Sequence, residues 1–124
     1  DETADNIDQV MKEYADQKPY IAEVTPAVGS TVMADALPSE VVVRFSEPMS
    51  MNGYGMNWIQ RHGIEHIPIE GSPRGQDEYT LVIPLDTAAL EPGKTYGANL
   101  LGWAFRSQKG FPVSGYYEVY FTVR

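Results

Sequence analysis

From residue 20 onward the chain alternates apolar and polar positions with a period of two. Val41, Val43 and Phe45 alternate with Val42 and Arg44, and Tyr79, Leu81 and Ile83 alternate with Thr80 and Val82. Tyr96, Ala98 and Leu100 do the same with Gly97 and Asn99. A final run sets Tyr117, Val119, Phe121 and Val123 against Glu118, Tyr120, Thr122 and Arg124. Successive side chains of a strand point to opposite faces, so each run predicts a half-buried strand, with Val41, Val43, Phe45, Leu81, Ile83, Tyr96, Ala98, Leu100, Val119, Phe121 and Val123 pointing inward. Weaker strands are expected at 21–25, 56–60 and 64–69. Turn signals separate the runs: Val28-Gly29-Ser30, Met51-Asn52-Gly53, Gly71-Ser72-Pro73-Arg74-Gly75 and Glu91-Pro92-Gly93. About seven short strands with this punctuation predict an all-β antiparallel sandwich.

The first 18 residues read differently. Ile7, Val10, Met11 and Tyr14 fall at the i, i+3, i+4, i+7 spacing of one helical face, and Thr3 or Asp5 can cap the N-terminus. Pro19 ends the pattern. The expected organisation is therefore a short amphipathic α-helix or linker over 1–19, followed by a sandwich domain over 20–124. No other tract has helical spacing, so crossover helices and an α/β fold are not expected.

Composition narrows the function classes. At 124 residues the chain has room for one ordinary core. Its formal net charge of -8 would repel a polyanion, so nucleic acid is set aside as a partner. It contains no cysteine, which removes disulfides, thiol catalysis and thiolate metal sites and leaves the compartment open. No apolar run approaches the roughly 18 residues that a membrane helix needs. Asp1-Glu2-Thr3-Ala4-Asp5 lacks the basic and apolar regions of a signal peptide, so the expectation is a mature chain or a fragment.

Four segments occur in a recognisable order: Pro26-Ala27-Val28-Gly29-Ser30-Thr31-Val32, Val41-Val42-Val43-Arg44-Phe45-Ser46-Glu47-Pro48-Met49, Leu90-Glu91-Pro92-Gly93-Lys94-Thr95-Tyr96, and Tyr120-Phe121-Thr122. Together they resemble the bacterial immunoglobulin-like domains of the S-layer type, across residues 20–124. The resemblance implies an immunoglobulin-like sandwich in a secreted or cell-envelope protein, at the periplasm or cell surface. One segment departs from the commoner family pattern: Phe105-Arg106-Ser107-Gln108-Lys109-Gly110-Phe111-Pro112 stands where many members carry an acidic turn, which removes any calcium cluster there. On physical grounds Pro92-Gly93 makes a tight turn into a strand. Tyr96 then stands where a sandwich ties its corner by a hydroxyl bond to backbone.

One string has a catalytic look. His62-Gly63-Ile64-Glu65-His66 matches the H-x-x-E-H pattern in which a helix turns both histidines toward zinc. Gly63 and Pro68 oppose a helix here, and in an extended segment the two histidines would stand roughly 13 Å apart, too far to share a metal. No Gly-x-Ser-x-Gly elbow and no phosphate-cradling glycine loop occurs. The expectation is no catalytic residue, no cofactor and no metal ligand, with a zinc protease through His62, Glu65 and His66 as a remote alternative.

Met49, Met51, Tyr54, Met56 and Trp58 crowd within ten residues, and Trp103, Phe105 and Phe111 lie in another loop-like region. Core or edge packing is the first reading of these side chains. The second takes Met49, Met51, Tyr54, Met56, Trp58, Trp103 and Phe105 as an interaction surface, because flexible methionines and aromatics suit binding. Glu47 reads as a solvated turn acid. The function expected from all this is a non-catalytic spacer or interaction module. Its partners would be other domains of the same parent protein, an envelope protein or a glycan. Carbohydrate or peptidoglycan binding through the aromatic loops is the alternative.

Overall fold

The computed structural model describes residues 9, 12, 18–51, 53–59, 61 and 63–124. The predicted helical face of Ile7, Val10, Met11 and Tyr14 lies outside them. Among the described residues the chain is all-β: apart from Gln9 and Lys12, which are helical, its helical structure is the short 3-10 turns Thr87–Ala89 and Gly102–Ala104, and the N-terminal helix expected over 1–19 is not supported.

Eleven short strands occur among these residues, rather than the seven or so expected. They are β1 (Ile21–Thr25), β2 (Ser30–Val32), β3 (Glu40–Phe45), β4 (Met49–Ser50), β5 (Met56–Asn57) and β6 (Ile64–His66), then β7 (Arg74–Asp77), β8 (Thr80–Pro84), β9 (Thr95–Leu101), β10 (Arg106–Ser107) and β11 (Tyr116–Val123). One antiparallel sheet has the order β1-β3-β8-β7. A second has the order β2-β11-β9-β5, with β6 beside β9 as well. Its central β9–β11 ladder is antiparallel from Thr95↔Thr122 to Leu101↔Tyr116, while β2 and β6 add parallel edges. A third, two-stranded ladder joins β4 to β10.

The two larger sheets close on each other because each strand buries one set of alternate residues. Val41, Val43, Phe45, Leu81 and Ile83 come from the first sheet, and Tyr96, Ala98, Leu100, Val119, Phe121 and Val123 from the second. All join one buried cluster, as the period of two predicts. The strand β8 goes further and buries Thr80 and Val82 on its other face too. Val82 pairs with Val42 on one side and Arg74 on the other.

Two elements run against the sequence pattern. Arg74-Gly75 reads as part of a turn, yet it opens β7, an exposed edge strand whose register slips between Gly75 and Asp77. Residues 105–107 read as loop, yet Phe105 packs on Phe45 with ring centroids 5.7 Å apart, and Ser107 pairs with Met49. The short β4–β10 ladder is too local to show an alternating pattern, and its burial comes from tertiary packing.

Candidate functional site

The histidine string is extended where it is described. Ile64–His66 forms β6 and pairs parallel with Thr95–Gly97, so no helix presents Glu65 and His66 together. His66 places Nδ1 2.9 Å from the Ile67 carbonyl and its ring 4.9 Å from that of Trp58, while Glu65 pairs with Lys94 at 3.3 Å. His62 lies outside the described residues. Among those residues no group of three His, Cys, Asp or Glu is placed to hold a metal ion.

The methionine and aromatic cluster divides. Met49 and Phe105 are 2% and 4% exposed and belong to the core, and Met51 and Met56 are half-buried against it. Tyr54, Trp58 and Trp103 are exposed, as are Tyr116 and Tyr117, which are not among the seven. The seven residues thus form no single surface.

What the fold does bring together lies beside β4. The Met49 amide donates to the Glu78 carbonyl at 2.6 Å, and the Gln108 amide donates to the Pro48 carbonyl at 2.9 Å. Gln108 Nε2 then reaches across to Glu78 Oε2 at 3.1 Å. Three segments far apart in sequence are tied at one rim by these bonds. Between them opens a depression of about 640 Å³. Met49, Ser50 and Met51 line one wall, Gly75, Asp77 and Glu78 another, and Gln108 closes the edge. A smaller hollow of about 240 Å³ on the outer face of the first sheet shares Asp77, and its other lining residues include Glu23 and Arg44 but no methionine.

Asp77 is fixed within the rim. Its Oδ1 accepts the Tyr79 amide at 2.8 Å. That backbone bond, with help from the Thr80 hydroxyl, holds its carboxyl below the ordinary aspartate range, so it stays charged. The depression is therefore lined by two methionines, Met49 buried and Met51 half-buried, beside two acidic residues. A thioether is a soft, neutral ligand that suits Cu(I), while a carboxylate lends negative potential to a cation without demanding a place in its first shell. Of the lining residues, only Met49 and Met51 stand out in the sequence. Gly75, Asp77, Glu78 and Gln108 carry no spacing signal, because they meet only through the β7–β8 register and the β4–β10 ladder.

No family model and no curated protein matches the chain. Among solved structures it is similar to the crystal structure of PcoC, a methionine rich copper resistance protein from Escherichia coli. The likeness has a TM-score of 0.56 at 20% identity over 87% of this chain and 100% of that one. At that identity it establishes the shared all-β sandwich. It also corrects the spacer expectation: a solved structure that shares this fold is that of a copper resistance protein, and the glycan-binding alternative gains nothing from it. Among the described residues no helix is long and apolar enough to cross a membrane.

Proposed function

We propose that this chain is a copper-handling protein that carries Cu(I) as cargo on methionine thioethers. The observation that supports it most is that Met49 and Met51 both line the depression beside Asp77 and Glu78. The fold likeness to a methionine rich copper resistance protein points the same way. The donor set fits the ion. With no cysteine in the sequence, methionine is the soft ligand available to this chain, and Met49, Met51 and Met56 are three of its five methionines.

The same chemistry favours a secreted or cell-envelope location. Thiolates oxidise to disulfides in such compartments, whereas thioethers keep a Cu(I) ligand set without them. In this reading the scaffold is an immunoglobulin-like sandwich, and the chain binds and releases its ion without catalysing a reaction.

An anaerobic competition titration against a chromophoric Cu(I) chelator tests it. The wild-type chain is expected to withdraw one equivalent of Cu(I). Met51→Leu should weaken uptake about tenfold or more, equivalent to losing roughly 1.4 kcal/mol of binding. Failure to withdraw copper, or full affinity in a Met49→Leu/Met51→Leu double variant, would overturn the reading.

A further inference from the structure

We propose that Gly75 is a positioning residue for the cargo site: it leaves β7 bare so that the Met51 thioether can lie on the strand and face the depression. The role rests on the copper reading above, because it assigns a function within the same site.

Glycine is a poor choice for an edge strand on its own account. It has no side chain to pack and adds freedom that folding must remove. Six glycines of this chain adopt positive φ, where a side chain would be strained, but Gly75 is not among them. Backbone conformation therefore does not call for glycine at 75. Space does. A Cβ placed there would stand 2.6 Å from Met51 Cγ, 2.9 Å from Met51 Cβ and 3.3 Å from Met51 Sδ. Carbon atoms rest about 3.5–4.0 Å apart, so the first two contacts are prohibitive. All three of the nearest atoms belong to Met51, so it is this side chain that the bare backbone accommodates.

The two thioethers are consequently held in different ways. Met49 is fixed by burial and by its amide bond to Glu78. Met51 is half-buried at the rim, and its stem rests on Gly75. Cβ moves only with the backbone and Cγ only by a change of χ1, so a methyl group at 75 cannot be avoided by turning the thioether end alone. The stem must leave its seat, and the sulfur goes with it.

The experiment compares wild type, Gly75→Ala, Met51→Leu and Gly75→Ala/Met51→Leu by two readouts. The first is the rate at which peroxide converts Met51 to its sulfoxide in the metal-free protein, followed by peptide mass spectrometry. The second is Cu(I) competition against the same chelator. Gly75→Ala should oxidise Met51 several-fold faster and weaken Cu(I) uptake by about tenfold, the scale typical of lost ligand support. It should weaken uptake no further once Met51 is leucine, whereas general damage to the domain would add to the loss. Unchanged Met51 oxidation in Gly75→Ala would overturn the seat. Tight uptake by wild type with equal uptake by Gly75→Ala would overturn the role while leaving the copper reading intact. No uptake by wild type would overturn both, and the oxidation rates would still decide whether Gly75 seats Met51.

Discussion

The corner that leads into β9 and the depression beside β4 use similar materials to opposite ends. At the corner, Tyr96 is 3% exposed, its ring lies 6.3 Å from that of Phe121, and its hydroxyl accepts the Glu91 amide at 2.9 Å and donates to the Ala89 carbonyl at 3.2 Å. Gly93 turns the chain at φ 87° and donates its amide to the Val123 carbonyl at 2.7 Å. Each of these polar groups finds its partner inside the chain. In the depression Asp77 and Glu78 each give one carboxylate oxygen to a bond within the chain, yet with the half-buried Met51 they also line open volume. A closed corner commits its contacts to the fold, whereas donors left facing a void are available to a ligand. Damage to the first should appear as lost stability, and damage to the second as lost binding.

The largest effect should come from opening the closed region. Tyr96→Ala removes a buried ring and leaves a cavity, which should cost about 3–5 kcal/mol in a denaturant melt. Phe45→Ala, against the Phe105 ring, should cost a similar amount. For Tyr96→Ala, Cu(I) uptake measured well below the melting midpoint should stay unchanged. A loss of affinity there would mean that the two regions are coupled.

Tyr96→Phe is the finer version of the same test. It keeps the ring and strands the Glu91 amide and the Ala89 carbonyl, so about 1–3 kcal/mol should be lost. Equal midpoints for wild type and Tyr96→Phe would show that the corner bonds add nothing. Met51→Leu reverses the pattern. The swap conserves volume and should cost less than about 1.5 kcal/mol in stability, while the Cu(I) competition shows the binding loss.

The contrast also explains which parts of the molecule are legible in its sequence. Each alternating run is a continuous stretch whose period alone fixes which side faces in, so the inward set from Val41 to Val123 follows from the order of residues. The tyrosine corner is equally local, since Leu90, Pro92, Gly93 and Tyr96 lie within seven residues and carry their own turn chemistry. The depression is not local. Met49 and Met51 attract notice as residue types, but Gly75, Asp77, Glu78 and Gln108 join them only after β7 pairs with β8 and β10 with β4. Its key glycine sits in a string that reads as a turn. Phe105 reads as loop for a related reason: its burial depends on Phe45, sixty residues away in the chain, and no periodicity encodes that.

The smallest effect separates the two regions by how each holds a carboxylate. Asp77 at the depression and Glu91 at the corner both have pKa values below their ordinary 3.8 and 4.5. The causes differ. Asp77 is lowered chiefly by the Tyr79 amide and then the Thr80 hydroxyl, both short-range hydrogen bonds within one turn. Glu91 is lowered chiefly by Lys94, whose ammonium lies 2.7 Å away and is itself raised above 10.5 by Glu91 and then Glu65. For both acids the folded value lies below the unfolded one, so each contribution is complete above the ordinary value and disappears as pH falls through the depressed folded value. Lys94 runs the other way: its contribution is complete below the ordinary lysine value and is lost as pH rises through the raised one. Both sites are open to solvent, so the consequence for overall stability is small and the titrations themselves are the measurement. Salt tells them apart. At about 1 M salt the screening length is roughly 3 Å, so the Glu91–Lys94 pair should weaken while the backbone bond to Asp77 persists. Carboxyl NMR titrations at low and high salt should therefore show Glu91 returning toward its ordinary value and Asp77 staying low. If both return together, Asp77 is held by charge rather than by its turn, and the rim of the depression is less firmly built than its geometry implies.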